Sequence, residues 1–284
     1  MAGWSYEDWN GIVYPKPRPA RFHPLTLLST WFDTVEVNAC FYRPIAGKTA
    51  AAWPALVEHN PRFRFTAKLW QRLTHERQSL PTAHEVEQYL EGIRPLRQSG
   101  LLGALLAQFP WSFRRTPAAR EWLAWLSETF TGWPLVIELR HTSWDVPAFY
   151  DGLTARGLGL CTIDQPLLGD CLPPDDRTTA PLGYVRFHGR RADTWFREGI
   201  PPHERYNYLY SQEELAPWLE RLQAMRARTR ALYVVNNNHF QGKAVANALQ
   251  VQAALAPRAL ALPRSLVNAF PDLAKLAQSP AKAL

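Results

Sequence analysis

LGALLAQF, residues 102–109, is a nearly continuous apolar run that carries one polar residue, Gln108, close to its end. A run of this kind is typical of a strand buried on both faces, as the strands of parallel sheets are. Thr116-Pro117 then supplies an N-cap and a proline in the first helical turn, which predicts a helix over residues 117–130. A second apolar run, Leu135 to Leu139, comes next. The segment therefore predicts a strand–helix–strand unit with parallel strands.

The same unit recurs along most of the chain. Apolar runs predict strands at Phe32 to Phe41, Phe63 to Leu69, Leu102 to Phe109, Leu135 to Leu139, Leu158 to Ile163, Leu182 to Phe187 and Ala231 to Val235. Amphipathic stretches predict helices at Pro24 to Trp31, Thr49 to His59, Ala83 to Ser99, Pro117 to Phe130, Val146 to Arg156, Ser211 to Arg228 and Gly242 to Leu255. With Ala2-Gly3-Trp4 as the stub of an eighth strand, this rhythm predicts an α/β fold, a TIM-like (β/α)8 barrel with a shortened first strand.

One connection departs from this pattern. Leu167 to Pro181, which contains Pro173-Pro174-Asp175-Asp176, predicts a loop where a helix would be expected. An open doubly wound sheet is the alternative fold, but no glycine-rich phosphate-binding fingerprint follows any predicted strand. No linker divides the chain, so we expect one barrel domain over residues 1–256. A C-terminal extension over residues 257–284 follows, in which Leu266 to Ala277 predicts a surface helix.

Composition limits the class of protein. Hydrophobic residues make up 46% of the chain and charged residues 20%, and no apolar run has the length of a membrane span, so disordered, collagen-like and membrane-spanning classes are excluded. No secretory signal is visible, and Cys40, Cys161 and Cys171 form no disulfide pattern. We therefore expect a cytoplasmic protein without a membrane partner; the sequence gives no oligomeric state.

The net charge of +7 favours an acidic partner, either nucleic acid or a phosphorylated metabolite. The small arginine clusters, such as Arg114-Arg115, are also typical of solvated helix faces, and no basic run of five residues occurs. We therefore favour a solvated basic surface, with binding to a polyanion as the alternative.

Polar side chains lie at the C-terminal side of every predicted strand. They are Glu36 and Asn38; Lys68; Gln108; Glu138 and Arg140; Asp164; Arg186 and His188; and Asn237, Asn238 and His239. Active sites of TIM-like barrels lie at this end of the strands, so the pattern predicts a charged site in the barrel mouth. Three carboxylates, from Glu36, Glu138 and Asp164, would there neutralise three cations. The alternative is an ionic network that caps the barrel and has no chemical role.

Several short motifs carry a family resemblance. They are Gly3-Trp4-Ser5-Tyr6 with Trp9, Gly11 and Tyr14-Pro15; Thr34-Val35-Glu36-Val37-Asn38 with Phe41-Tyr42; Phe63-Arg64-Phe65 with Lys68; Thr74-His75; Gln108-Phe109-Pro110; Glu138-Leu139-Arg140-His141 with Trp144; Arg186-Phe187-His188-Gly189-Arg190; and Asn237-Asn238-His239 with Gly242, Ala244 and Asn247-Ala248. In this order they resemble the domain-of-unknown-function 72 (YecE-like) family over nearly the whole chain. The resemblance implies a TIM-like barrel and an activity that the family name leaves unassigned.

The sequence departs from the family pattern at two places. Family members usually have several strand residues before the Gly-Trp-Ser-Tyr element, whereas this chain has two. We therefore expect the true start to lie upstream of Met1, so that an in-frame coding extension precedes it. Asn236 also stands where an aromatic residue is more usual, which makes the register of that strand uncertain.

The residues of the predicted mouth allow two kinds of chemistry. Glu36 with Glu138 or Asp164 could form a general acid–base pair, with His188 as a further catalytic candidate. A shared metal ion is disfavoured because Lys68, Arg140 and Arg186 lie on the same face, so we predict no metal ligands and no particular cofactor. The three cations suit an anion instead, with Arg186 and Gly189 ending the seventh strand of the predicted barrel, where phosphate sites are common. Schiff-base chemistry at Lys68 is disfavoured, since flanking carboxylates are expected to raise its pKa.

Further residues are predicted to bind substrate. These are Trp4, Tyr6, Asn38, Tyr42, His75, Gln108, His141, Arg186, Gly189, Asn237, Asn238 and His239. Aromatic rings among them could stack on a sugar or base, while His141 and His188 could equally be structural groups bonded to a carboxylate. The long segment from Gly189 to Tyr210 predicts a lid over the mouth.

Two classes of function follow. In the first, the protein is a hydrolase or isomerase that acts on a small phosphorylated or sugar-containing substrate, with phosphodiester hydrolysis as the preferred reaction. In the second, it binds nucleic acid or another anion, and the charges of the mouth are structural.

Overall fold

Seven parallel strands form one nearly closed barrel, in a computed structural model that describes residues 1–257 and 259–276. The strands are β1 (Thr34–Val37), β2 (Arg64–Lys68), β3 (Leu102–Gln108), β4 (Leu135–Glu138), β5 (Gly159–Asp164), β6 (Leu182–Phe187) and β7 (Ala231–Asn236). Each strand pairs in parallel with the next one along the chain. The predicted TIM-like α/β barrel is therefore confirmed.

The first residues of the chain lie between β1 and β7. Ala2 forms a parallel bridge with Glu36, and its amide donates to the Asn236 carbonyl at 3.1 Å. The Gly3 amide donates to the Glu36 carbonyl at 2.9 Å. This short segment, the predicted stub of a strand, hydrogen-bonds both edges of the sheet and takes the place of the eighth strand.

Helices connect the strands, and the longer ones cover the outside of the barrel. They are α1 (Pro24–Trp31), α2 (Ala39–Tyr42), α3 (Gly47–Ala51), α4 (Trp53–Val57), α5 (Gln71–Thr74), α6 (Ala83–Gln98), α7 (Pro117–Thr129), α8 (Pro147–Ala155), α9 (Pro202–Arg205), α10 (Gln212–Arg228), α11 (Lys243–Leu255) and α12 (Arg264–Ala269), with 3-10 turns at Glu7–Trp9, Thr142–Trp144, Phe240–Gly242 and Pro271–Lys275. Thr116 caps α7, and Ser211 with Glu214 forms a capping box on α10, as the sequence predicts. The predicted loop between β5 and β6 contains no helix in this fully described stretch.

Two of the predicted helices are divided. The helix expected over residues 49–59 is split into α3 and α4, because Pro54 in the first turn of α4 has no N–H with which to continue α3. The helix expected over residues 266–277 is shortened to α12 and a 3-10 turn, which begins at another proline, Pro271. Residues 277–284 of the predicted C-terminal extension lie outside the described residues.

The two faces of the strands have different chemistry. Inside the barrel, apolar side chains fill the lower part; they are Ala2, Ala104, Leu106, Val136, Cys161, Ile163, Tyr184 and Val235. Outward residues such as Val35, Leu105 and Ile137 pack against the helices in the main core. Because side chains alternate along a strand, the inward positions just above this apolar floor are the ones that can carry the site. In the described part of the chain, no helix is both long and apolar enough to cross a bilayer.

Candidate functional site

A cavity of ≈ 350 Å³ opens at the C-terminal ends of the strands. It is lined by Gly3, Trp4, Ser5, Tyr6, Asn38, Ala39, Phe41, Tyr42, Lys68, Gln108, Arg140, Arg186, Tyr206, Asn237 and His239. The lining includes three cationic side chains and, among the described residues, no carboxylate. Its position is where this fold places its active sites.

Arg186 lies at the centre of the polar layer beneath this cavity. Its Nη2 donates to Glu36 Oε1 and its Nη1 to Glu138 Oε2, both at 2.8 Å, and the residue is only 1% exposed. The hydroxyl of Tyr184, two residues earlier on the same face of β6, donates to Glu36 Oε2 at 2.8 Å. Burial alone would lower the pKa of Arg186, but the two carboxylates outweigh it and raise the pKa well above its ordinary value.

Glu138 is held from three sides. Besides the bond from Arg186, its Oε1 accepts from Arg140 Nη2 at 2.8 Å and lies 3.3 Å from His188 Nε2. Burial would raise the pKa of Glu138, but Arg186 and Arg140 hold it well below its usual range. Glu36, Glu138, Arg140, Tyr184, Arg186 and His188 together form one connected group, here termed the inner network.

His188 is a neutral member of the inner network. Burial and the nearby Arg140 guanidinium lower its pKa to about 3. Asn237 Nδ2 lies 3.1 Å from His188 Nδ1. On the other side of the ring, Nε2 lies 3.3 Å from Glu138 Oε1 and 3.2 Å from Arg140 Nη2, so polar groups face both nitrogens of the neutral ring.

Lys68 stands apart from the carboxylates. Its Nζ donates to Gln108 Oε1 at 3.0 Å and lies 3.8 Å from the centre of the Phe41 ring. Burial and the neighbouring Arg186 lower the pKa of Lys68 to about 7, against the opposite effect of Glu36. Glu36 and Glu138 do act to raise this pKa, as the sequence predicts, but burial and the two arginines outweigh them.

Aromatic and amide groups complete the cavity wall. Tyr6 stacks on His239 with ring centres 4.5 Å apart, and Tyr42 is 69% exposed at the rim. Asn38 faces the cavity from the end of β1, and its Oδ1 is buried without a hydrogen-bond partner among the described residues. Of the predicted binding residues, Trp4, Tyr6, Asn38, Tyr42, Gln108, Arg186, Asn237 and His239 line the cavity.

Residues 189–210, here termed the mouth loop, cover one side of the cavity. Tyr206 lines the cavity directly, and the buried ring of Trp195 lies 5.7 Å from the Arg140 guanidinium and 6.2 Å from the His188 ring. The mouth loop therefore packs on the inner network, which is the position expected of the predicted lid.

Asp164 is not in the mouth, contrary to the sequence prediction. Cys161 and Ile163 point into the barrel, so Asp164 points outward by strand alternation. Its carboxylate there accepts from Tyr210 Oη and Trp218 Nε1, each at 2.6 Å, and from Arg190 Nη2 at 2.6 Å. Asp164, Arg190, Tyr210 and Trp218 are termed the outer cluster. Asn238 is outward for the same reason, and its Nδ2 donates to the Tyr208 carbonyl at 2.8 Å.

Three further predicted binding residues do not line the cavity. The Gly189 amide donates to Tyr210 Oη at 2.8 Å, and at φ +89° an added Cβ would lie 2.6 Å from Tyr208, so Gly189 serves a turn rather than a ligand. His141 Nδ1 accepts from the Ser143 amide and caps a 3-10 turn. His75 lies behind Phe41, with ring centres 4.9 Å apart, and burial together with Lys68 lowers its pKa to about 3.

Sequence reasoning also missed some residues. Tyr184 shares a strand face with Arg186 and His188, so the two-residue alternation could have identified it. Tyr206 and Ser5 lie in loops, where no periodic pattern indicates which side chain faces the cavity. Within the described residues, no group of three or more His, Cys, Asp or Glu side chains is arranged to hold a metal ion.

Comparison with known proteins agrees with this architecture. The profile of the family described as "Protein of unknown function DUF72" matches residues 1–269. The UPF0759 protein YunF of Bacillus subtilis (strain 168) is 29% identical over 283 residues, covering 92% of this chain and 98% of that protein. Solved DUF72 family proteins from Thermotoga maritima and Enterococcus faecalis are 33% and 26% identical, each with a TM-score of 0.77 and 90% of this chain covered, and with 97% and 94% of their own chains covered. The chain therefore belongs to the DUF72 family.

Proposed function

We propose that the protein binds a small organic anion, a phosphorylated or carboxylated compound, in the mouth of its barrel. The observation that carries this proposal is the charge of the cavity wall, to which Lys68, Arg140 and Arg186 contribute and no described carboxylate does. Arginine guanidinium groups bind phosphate and carboxylate through paired N–H donors, and a lysine adds a point charge. A phosphorylated or sugar-containing substrate, as expected from the sequence, fits this proposal when it carries such an anionic group.

The carboxylates support the anion site from behind. Both oxygens of Glu36 and both oxygens of Glu138 accept hydrogen bonds from the inner network, and both residues are fully buried. A general acid or base must reach the proton that it transfers, so this geometry favours holding the guanidinium groups in place over the acid–base pair expected for phosphodiester hydrolysis. An arginine fixed in this way loses little freedom when a ligand binds.

The size and the rings of the cavity favour a compact ligand. A volume of ≈ 350 Å³ is within the range of small-molecule sites, which begins at about 300 Å³. Trp4, Tyr6, Tyr42 and Tyr206 offer flat surfaces for a sugar or a planar ring. These features support a small molecule rather than a nucleic acid duplex.

Ligand-induced stabilisation tests the proposal. Protein exchanged into a chloride buffer would be titrated with inorganic phosphate, pyrophosphate and pyruvate at constant ionic strength, with the melting temperature and calorimetric heat as readouts. We expect saturable stabilisation by at least one of them. In Arg140→Met we expect the affinity to fall about tenfold or more, since a hydrogen bond to a charged group contributes about 1.5–3 kcal/mol.

Arg62→Met is the matched control. Arg62 is 67% exposed and pairs with Asp33 at the opposite end of the barrel, so its loss removes one positive charge far from the cavity. Unchanged affinity in Arg62→Met with a loss in Arg140→Met supports the site. Equal losses in both variants, or no saturable stabilisation of the unmodified protein, would contradict it.

A further inference from the structure

Lys68 has the surroundings of a nucleophilic amine rather than of an ion-pair partner. It ends β2 and faces the cavity, and no carboxylate of a described residue lies within ion-pair distance of its Nζ. Its contacts are the Gln108 side-chain oxygen at 3.0 Å and the face of Phe41. The nearest side-chain contacts of Nζ are therefore uncharged.

Charged groups of both signs surround Lys68 at longer range. They are Arg186, Glu36, Glu138 and Arg140, with His75 behind the Phe41 ring. Burial and the arginines prevail and lower the pKa of Lys68 to about 7. A lysine that is desolvated beside another cation is the usual means by which proteins activate an amine for attack on a carbonyl group.

Two neighbours suit a carbonyl ligand with a negative charge. Arg140 Nη1 makes no hydrogen bond to another described residue, while its Nε and Nη2 are fixed on Glu138. Asn38 lines the same cavity, and its buried Oδ1 lacks a partner among the described residues. The cavity therefore combines an amine with a guanidinium group that has unused N–H donors and with a polar side chain at its wall.

We propose that Lys68 forms an imine with a small anionic aldehyde, ketone or 2-oxo acid whose phosphate or carboxylate group is bound by Arg140. This inference rests on the proposed function, because it assigns a chemical class to the ligand of the same cavity. The neutral Nζ attacks the carbonyl carbon, and one of its two protons is transferred to the carbonyl oxygen to give a carbinolamine. The second N–H proton is then lost and the hydroxyl group leaves with a proton as water, so that the C–O bond breaks, one C=N bond forms and one water molecule is released.

Borohydride trapping tests the imine directly. The protein would be incubated near pH 7 with pyruvate, glyoxylate or glyceraldehyde 3-phosphate, with neutral glyceraldehyde as the uncharged control. Sodium borohydride then reduces any imine to a stable secondary amine, and peptide mass mapping locates it by a mass increase equal to the probe less one oxygen atom. At this pH an amine with a pKa of about 7 is about half neutral, whereas an ordinary lysine is neutral in fewer than about one molecule in a thousand. We expect the Lys68 peptide to carry more than about tenfold the label of any other lysine peptide.

Lys68→Arg tests where the label forms, and anion binding to the unmodified protein separates this inference from the proposed function. Arginine cannot form the imine, so we expect the anionic probes no longer to label position 68 in this variant. Anion binding to the unmodified protein without preferential label on Lys68 would overturn the imine and leave the anion site intact. Absence of both binding and label would overturn both, and equal label from neutral glyceraldehyde would exclude the role of Arg140.

Discussion

The inner network and the outer cluster are two buried carboxylate–arginine groups separated by the wall of one barrel. In the inner network, Arg186 lies between two carboxylates and is 1% exposed. In the outer cluster one carboxylate, Asp164, accepts from Tyr210, Trp218 and the half-buried Arg190. Both groups pair carboxylates with arginine and tyrosine, yet one borders a cavity and the other fills the space between β5 and the segment around α10.

The difference shows that the two groups have different structural roles in the same barrel. The inner network aims guanidinium groups at the cavity, while the outer cluster fixes both ends of the mouth loop, because Arg190 and Tyr210 lie at those ends. The Arg190 guanidinium also reaches Glu214, in the first turn of α10. In the proposed function the inner network therefore positions the guanidinium groups of the anion site, and the outer cluster holds the loop that covers the cavity.

Removal of the arginines gives the largest contrast between the two groups. In Arg186→Met two carboxylates stay buried without their partner, so we expect the free energy of unfolding to fall by about 3–5 kcal/mol. In Arg190→Met, Asp164 keeps the donors from Tyr210 and Trp218, so we expect a smaller loss, of about 1.5–3 kcal/mol. Urea denaturation of both variants measures the difference.

The triple variant Arg186→Met, Glu36→Gln, Glu138→Gln controls for a simple loss of packing. It removes all three charges, so we expect it to recover part of the stability lost in Arg186→Met alone. No recovery, or equal losses in Arg186→Met and Arg190→Met, would contradict the claim that the loss arises from two carboxylates left buried without their arginine.

Removal of a single hydroxyl group compares the inner network and the outer cluster with a smaller expected loss of stability. Tyr184→Phe removes one donor to Glu36, and Tyr210→Phe removes one donor to Asp164 together with the acceptor for the Gly189 amide. We expect each variant to lose about 1.5–3 kcal/mol. Only Tyr210→Phe should also speed amide hydrogen exchange across residues 190–206, as measured by mass spectrometry, because only that hydroxyl holds the mouth loop.

Equal exchange in the two tyrosine variants would show that the mouth loop is held elsewhere. The Asn238 side chain, which donates to the Tyr208 carbonyl, is then the next group to test. Asn238→Ala would be expected to speed exchange in the second half of the mouth loop while leaving the Gly189 turn protected.

The sequence predicted the strands and the end of the barrel at which the polar groups gather. Apolar runs such as residues 102–109 are buried on both faces wherever they lie in a parallel sheet, so their pattern is enough to identify them. Arg186 and His188 share a face because they lie two residues apart on a strand, and this also follows from the sequence.

The side of the strand on which Asp164 lies did not follow from the sequence. Every residue from Gly159 to Asp164 is buried, so exposure to solvent does not distinguish the two faces of β5, and the inward face depends on the register with β4 and β6. The pKa of Lys68 was unpredictable for a related reason. This pKa depends on which cations Glu36 and Glu138 pair with. That pairing is a property of the packed network rather than of spacing along the chain.

The dependence of the free energy of unfolding on pH is the smallest of the expected effects. It distinguishes the two groups because the inner network contains His188, whereas the outer cluster has no histidine. Burial and Arg140 lower the pKa of His188 to about 3, below the ordinary value of about 6.5 of the unfolded chain. Between these values the unfolded chain binds one more proton than the folded protein, so stability falls as the pH is lowered through this window. The expected slope is at most about 1.4 kcal/mol per pH unit for this residue.

Urea denaturation midpoints between about pH 4.5 and 6.5, above the range in which Glu138 titrates, measure this slope. His188→Gln keeps a donor toward Glu138 and an acceptor for Asn237 without titrating, so we expect its stability to change less with pH than that of the unmodified protein. A slope that His188→Gln leaves unchanged, and that His75→Gln removes instead, would assign the effect to the histidine behind Phe41.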